Sequence, residues 1–264
     1  MLENPKAEKV RGVAKLAQKD ARSETGLFLL EGVQGLKEVL VRPKLIVELY
    51  ATEECVQRNA ELFERAEKAR VTVQLVSESV LNAISTTTTP QGVVAVCHQL
   101  DVSIDDVLAT KPKLIAVLSQ VRDPGNAGTV LRAADAAGAD AVIFTKDSVD
   151  VYNPKVVRST TGSLFHLPVV VGADAVELAD TLKAAGLQIF AADAGGEQVN
   201  KLPAQTLAKP TAWIFGNEAW GFEPETLALA DQVISLPIYG AAESLNLATA
   251  ASVCLYQSAF AQAD

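Results

Sequence analysis

From Lys113 onward the chain alternates. Six short apolar runs, at 113–118, 141–144, 168–171, 188–192, 212–215 and 233–236, are separated by loops and by segments with apolar residues at helical spacing. Those segments fall at 129–137, 154–160, 174–185 and 224–230. Runs this short, bounded by Gly, Pro and Asn, suit buried strands. Parallel neighbours need a crossover, and a helix is the usual one. The pattern therefore predicts an α/β fold with a six-stranded, mainly parallel sheet covered on both faces.

Ahead of this series lies a smaller α/β unit. Its strand-like runs are at 27–30, 45–50, 71–76 and 92–97, with a charged helix expected over 53–69. Residues 99–112 read as a linker, acidic at Asp101, Asp105 and Asp106, punctuated by Lys111-Pro112, and holding a short helix at 103–109. The expected organisation is residues 1–98, the linker 99–112, and 113–264. Residues 4–20 are expected to form a basic amphipathic helix with Val10, Val13, Leu16 and Ala17 on one face. A solvated surface helix and an RNA contact both fit it.

Composition narrows the chemistry. A net charge of −9 argues against nucleic acid as a partner for the whole surface. Two local basic stretches soften that: residues 1–22, and the acid-free interval between Asp150 and Asp174 with Lys155, Arg158 and His166. No apolar run approaches the roughly 18 residues of a spanning helix, and the N-terminus lacks a signal core, so a cytoplasmic protein off the membrane is expected. Cys55, Cys97 and Cys254 are scattered, and His98 and His166 are the only histidines. Neither a metal site nor a disulfide framework is expected.

Ligands in open parallel sheets bind beyond the carboxyl ends of strands. Three such junctions are rich in Gly beside polar side chains: Asn126–Arg132, Gly216–Gly221 and the stretch from Leu236 to Asn246. Common alternatives fail on spacing. Gly125-Asn-Ala-Gly128 lacks the middle glycine of a dinucleotide fingerprint, Phe222-Glu223 replace the Lys-Ser/Thr of a phosphate loop, and neither Ser163 nor Ser244 sits in a nucleophile elbow. Glu243-Ser-Leu-Asn246 lies at the mouth of an Ala-rich helix, where one Ser or Asn serves as a cap. Capping is also an alternative role for Glu218. Trp213, inside a strand-like run, is expected in the core. Burial is expected for Trp220 too, with exposure for stacking as the alternative.

Asn126-x-Gly128-x-x-x-Arg132, Gly216-Asn-Glu218-x-x-Gly221 and Leu236-Pro-Ile-x-Gly240 with Glu243-Ser-Leu-Asn246, in that order, resemble the three motifs of the SpoU (TrmH-type) RNA 2′-O-ribose methyltransferases. The likeness covers about residues 112–260. Phe28-Leu-Leu-Glu31-Gly32 and the following helix resemble the ribosomal-protein-like substrate-binding domain of many members. The resemblance implies a SPOUT-like sheet with a C-terminal trefoil knot, S-adenosyl-L-methionine as methyl donor, an RNA ribose 2′-hydroxyl as acceptor, and a homodimer. It assigns cofactor binding to Gly216, Asn217, Glu218, Leu236, Ile238, Ser244, Leu245 and Asn246. It assigns catalysis to Asn126, Arg132, Glu218, Ser244 and Asn246. An arginine stays charged in proteins, so Arg132 suits a phosphate clamp that acidifies the hydroxyl better than it suits a base. Arg122, Lys155 and Arg158 are the candidate RNA contacts. The extra N-terminal domain favours ribosomal over transfer RNA. A non-catalytic ribosome-assembly factor and a small-molecule enzyme on the same sheet remain alternatives.

Overall fold

The computed structural model describes residues 1–263. Its packing forms two units: Met1–Leu100 with Tyr152–Phe165, and Asp101–Val151 with the residues from His166 onward.

In the first unit, β1 (Leu27–Glu31), β2 (Ile46–Ala51), β3 (Val73–Leu75) and β4 (Val93–His98) form a sheet in the order β1-β4-β2-β3. Strand β4 is antiparallel to β1 and β2, and β2 is parallel to β3. Val10, Val13 and Leu16 bury one helix face against Leu29, Tyr50 and Val80. The helix expected over 4–20 is shorter, Glu8–Lys15, with a second helix at Lys19–Thr25. The break is stabilised by the buried Arg22, whose Nη1 donates to the Leu16 carbonyl at 2.8 Å. The charged 53–69 segment likewise divides at Asn59, whose side chain donates back to the Cys55 carbonyl. Tyr152 and Phe165 pack their rings on Phe28, so the helix Pro154–Ser159 between them belongs to this unit.

In the second unit, β5 (Leu114–Leu118), β6 (Ala141–Thr145), β7 (Val169–Ala173), β8 (Gln188–Gln198), β9 (Thr211–Phe215) and β10 (Gln232–Ser235) lie in the order β10-β8-β9-β5-β6-β7. Every pairing is parallel. Strands β5, β6 and β9 are buried along their whole length, as a sheet covered on both faces requires. Trp213 is fully buried, and its Nε1 donates to Ser258 Oγ on the helix Leu247–Ala263. The chain winds outward from β5 through β6 to β7, then returns to the other side at β8. The strand order therefore reverses between β5 and β9, and their C-terminal loops open a crevice of the kind that holds ligands.

Two local departures from the expected pattern shape that crevice. The helix predicted at 129–137 begins earlier, at Pro124, because Asp123 caps it by accepting the Asn126 N–H at 2.7 Å and Pro124 stands in its first turn. Strand β8 runs beyond its predicted end, and its pairing with β10 jumps from Ala191↔Val233 to Glu197↔Ile234. At Gly196 a Cβ would meet the Val233 carbonyl carbon and oxygen at 2.4 Å, so only glycine permits this backbone approach.

Candidate active site

The crevice is a cavity of about 470 Å³. Loops from three strand ends supply its polar wall. Glu218, after β9, accepts from the backbone N–H groups of Arg122 and Asp123 and from Asn126 Nδ2, each at 3.2 Å. Asn126, in the first turn of the helix after β5, in turn accepts from Asn246 Nδ2 at 2.9 Å. Asn246 Oδ1 accepts the N–H of Ala248 and Thr249, so this residue also caps the C-terminal helix. The two ends of the amide are thus used separately, Oδ1 for the helix cap and Nδ2 for the contact to Asn126.

The loop bearing Glu218 is tightly built. Asn217 and Gly221 exchange backbone hydrogen bonds of 2.7 and 2.9 Å. Inside, the buried Asn217 donates Nδ2 to the Gln120 carbonyl and accepts the Ala219 N–H. Gly216 does not line the cavity. A Cβ there would meet the Gly221 carbonyl oxygen at 2.5 Å, so its absent side chain lets the loop fold back on its own base.

Of the residues singled out from sequence, Asn126, Asn217, Glu218, Leu236, Ile238, Ser244, Leu245 and Asn246 line this one cavity. Arg132 does not. It follows Asn126 by six positions, about 240° around the helix at 100° per residue, and is exposed with no ion pair or hydrogen bond among the described residues. Arg122 is exposed and stacks over the Trp220 ring at 5.1 Å. The expectation that Trp220 is buried fails: it is 47% exposed, because the closed turn at Asn217–Gly221 projects residues 218–220 outward. Lys155 is exposed on the first unit, and Arg158 there pairs with Glu31 at 3.0 Å while also donating to Thr86.

Sequence reasoning missed part of the wall. Asp193 and Ala194 come from the extended end of β8, and Ile234, Leu247, Ala250 and Cys254 supply apolar surface. The strand-end rule, applied to Ala192-Asp193 before Gly195-Gly196, was the signal available for the first two. Burial pushes the Cys254 thiol up to about 12, so this part of the wall stays neutral. Glu243 also lines the cavity, so three carboxylates (Asp193, Glu218 and Glu243) share its wall with neutral amide and hydroxyl groups and with aliphatic side chains. That set of acceptors and apolar side chains suits a ligand with cationic groups attached to an apolar body. Among the described residues, no group of three His, Cys, Asp or Glu is arranged to hold a metal ion.

The SpoU rRNA Methylase family model matches residues 113–256, and the MRM3-like substrate binding domain model matches residues 7–95. The chain is 35% identical over 257 residues to the 23S rRNA (guanosine(2553)-2′-O)-methyltransferase RlmP of Bacillus subtilis, covering 97% of each protein. It is 34% identical to the 23S rRNA (guanosine-2′-O-)-methyltransferase RlmB of Bordetella pertussis, over 82% of this chain and 89% of that one. Among solved structures, the AdoMet-bound rRNA methyltransferase of Sinorhizobium meliloti superposes with a TM-score of 0.83 at 28% identity, covering 97% of this chain and 96% of that chain. The SpoU methyltransferase AviRb of Streptomyces viridochromogenes in complex with AdoMet gives 0.82 at 29%, covering 96% and 98%.

Proposed function

The chain belongs to the SpoU rRNA methylase family, and from that premise we propose that it methylates a ribose 2′-hydroxyl of ribosomal RNA, using S-adenosylmethionine as the donor and working as a homodimer in the cytoplasm. The observation that carries this reading is the convergence of Asn126, Glu218 and Asn246 from three separate strand ends on one cavity. Residues 1–98 are the part that recruits the substrate RNA, a role supported by the match over residues 7–95. No helix among the described residues is long and apolar enough to cross a membrane.

The cavity residues fit the donor. Leu236, Ile238 and Leu245 would cover its apolar surface, and Asp193, Glu218 and Glu243 would face its positive charge. When bound, S-adenosylmethionine supplies an electrophilic methyl group on a sulfonium. What remains for the chain is orientation of the acceptor and handling of its proton. A ribose hydroxyl is a poor acid, and no histidine lines the cavity to serve as the usual base. Asn126, Ser244 and Asn246 orient the ribose for in-line attack, the first and last already fixed by their mutual hydrogen bond. Arg132 clamps the adjoining phosphate and stabilises the developing alkoxide as the hydroxyl gives up its proton to water. Its own helix turns it off the cavity lining, so we assign that role to the Arg132 of a second copy. The C-terminal helix leaves Val253 and Phe260 exposed for such a contact. The segment from Leu236 to Asn246, after the close β8–β10 approach at Gly196, is the stretch that would thread the trefoil knot.

The test is transfer of label from methyl-tritiated S-adenosylmethionine to ribosomal RNA lacking the modification, followed by mapping of ribose methylation. Cofactor binding without label in any RNA would sink the reading and favour an assembly factor.

A further inference from the structure

The loop that carries Glu218 holds a second feature that the reaction above does not use. Trp220 is about half exposed, and the guanidinium of Arg122 lies over its ring. The two residues come from different strand ends, β9 and β5, and neither lines the cavity. They are nonetheless locked together. The Trp220 loop is closed at Asn217 and Gly221, and Glu218 within it accepts the backbone N–H of Arg122. Asn217, Glu218 and Gly221 line the cavity, while Trp220 in the same loop does not. On a loop closed by these hydrogen bonds, the half-exposed indole offers a planar surface to a partner. The Arg122 side chain makes no hydrogen bond or ion pair among the described residues, so its N–H donors are available beside that face.

We propose that Trp220 and Arg122 form a stacking platform for an unpaired base of the substrate RNA, holding it next to the cavity so that the neighbouring ribose enters in register. This rests on the RNA methyltransferase reading and names the group that positions its substrate. Unpaired RNA bases are held by stacking on aromatic rings and on arginine planes, and this pair offers both. A duplex has no free base face to offer, so the platform selects a loop, bulge or single-stranded site. Trp220 is a positioning residue: it orients the RNA and leaves donor binding to the cavity behind it.

The experiment compares wild type with Trp220→Leu, Trp220→Phe and Arg122→Ala in steady-state methylation of ribosomal RNA. Donor affinity is measured alongside by calorimetry, and oligomeric state by light scattering. Trp220→Leu is expected to raise KM for RNA by about 5- to 150-fold, the range for losing one base stack, with kcat and donor affinity close to wild type. Trp220→Phe keeps a ring and recovers much of that loss, and Arg122→Ala gives a smaller rise. Trp220 fluorescence should also be quenched by a short single-stranded oligoribonucleotide but not by duplex RNA of the same length. An unchanged KM in Trp220→Leu overturns the platform. So does a matching loss of donor affinity, which would make Trp220 part of the cofactor loop, or a loss of dimer, which would make a second copy its partner. Failure of wild type to label any RNA would instead overturn the methyltransferase reading itself.

Discussion

Asn246 donates its side-chain amide to Asn126 across 120 residues of sequence, while its Oδ1 holds the first N–H groups of the C-terminal helix. One side chain thus fixes a helix start and a site contact together, and the two roles can be separated chemically. Asn246→Asp keeps an acceptor for the helix but loses the donor to Asn126. It should melt close to wild type and lose about 100-fold in kcat, the scale for removing one positioned donor. Asn246→Ala should lose the activity and, with the cap, about 1 kcal/mol, lowering Tm by roughly 2–4 °C. Thermal melts beside turnover check this; full activity in Asn246→Asp would remove Asn126–Asn246 from the mechanism.

The three carboxylates around the cavity make a prediction about charge. S-adenosylmethionine carries a sulfonium, and its product S-adenosylhomocysteine has a neutral thioether of nearly the same shape. Glu218→Gln or Asp193→Asn should therefore weaken the donor by about 10-fold, roughly 1.4 kcal/mol, and weaken the product less. Calorimetric titration with both ligands reads the difference. Equal losses would mean that these carboxylates act through hydrogen bonds alone.

Arg132 tests the homodimer. Its position about 240° around the helix from Asn126 takes it off the cavity lining, so Arg132→Ala should abolish methyl transfer while donor affinity survives. If a second copy supplies the clamp, mixing Arg132→Ala with Asn126→Ala chains should restore activity. Each mixed dimer then has one site with both residues intact, and random pairing gives about a quarter of wild-type turnover. No recovery after subunit exchange would place Arg132 and Asn126 in the same chain's site.

The alternation of apolar runs made the six-stranded sheet legible, and the polar residues at its strand ends marked most of the cavity. Three things were hidden for physical reasons. The reach of β8 beyond Ala192 depends on backbone pairing with β10, not on apolar content, so Asp193 carried no periodic signal. Trp220 is a large ring that composition assigns to a core, and only the hydrogen bonds closing its loop turn it outward. The packing of Tyr152–Phe165 with the first unit rests on ring contacts to Phe28, more than a hundred residues away, and nothing local encodes them.

That last packing has an electrostatic anchor. Glu31 keeps only 6% of its side chain exposed and accepts from Arg158, Thr86 and Thr87. Arg158→Ala would leave a mostly buried carboxylate with neutral donors alone. The expected cost is about 2 kcal/mol, below that of a fully buried pair because Arg158 is itself 31% exposed, or roughly 4–8 °C in Tm. Pairing it with Glu31→Gln should recover part of the loss, since no charge is then stranded. A double variant as unstable as the sum of its parts would show that the two side chains act independently.

The cysteines set a limit on the alkaline side. Cys55, Cys97 and Cys254 are free and buried, and desolvation raises all three. For Cys254 the folded value is about 12 against an ordinary 9.0. A raised folded value means that the unfolded chain gives up its proton first. The stability from burying this thiol is intact below pH 9, erodes above it, and is lost as the pH rises through about 12. Because only the thiolate attacks a disulfide reagent, native protein at pH 8 should show almost no reaction, and denatured protein should react at all three sites. Cys254 lies in the cavity wall, so any slow native reaction should slow further with S-adenosylmethionine present. Rapid stoichiometric labelling of native protein at pH 8 would show that the wall around Cys254 opens freely to solvent.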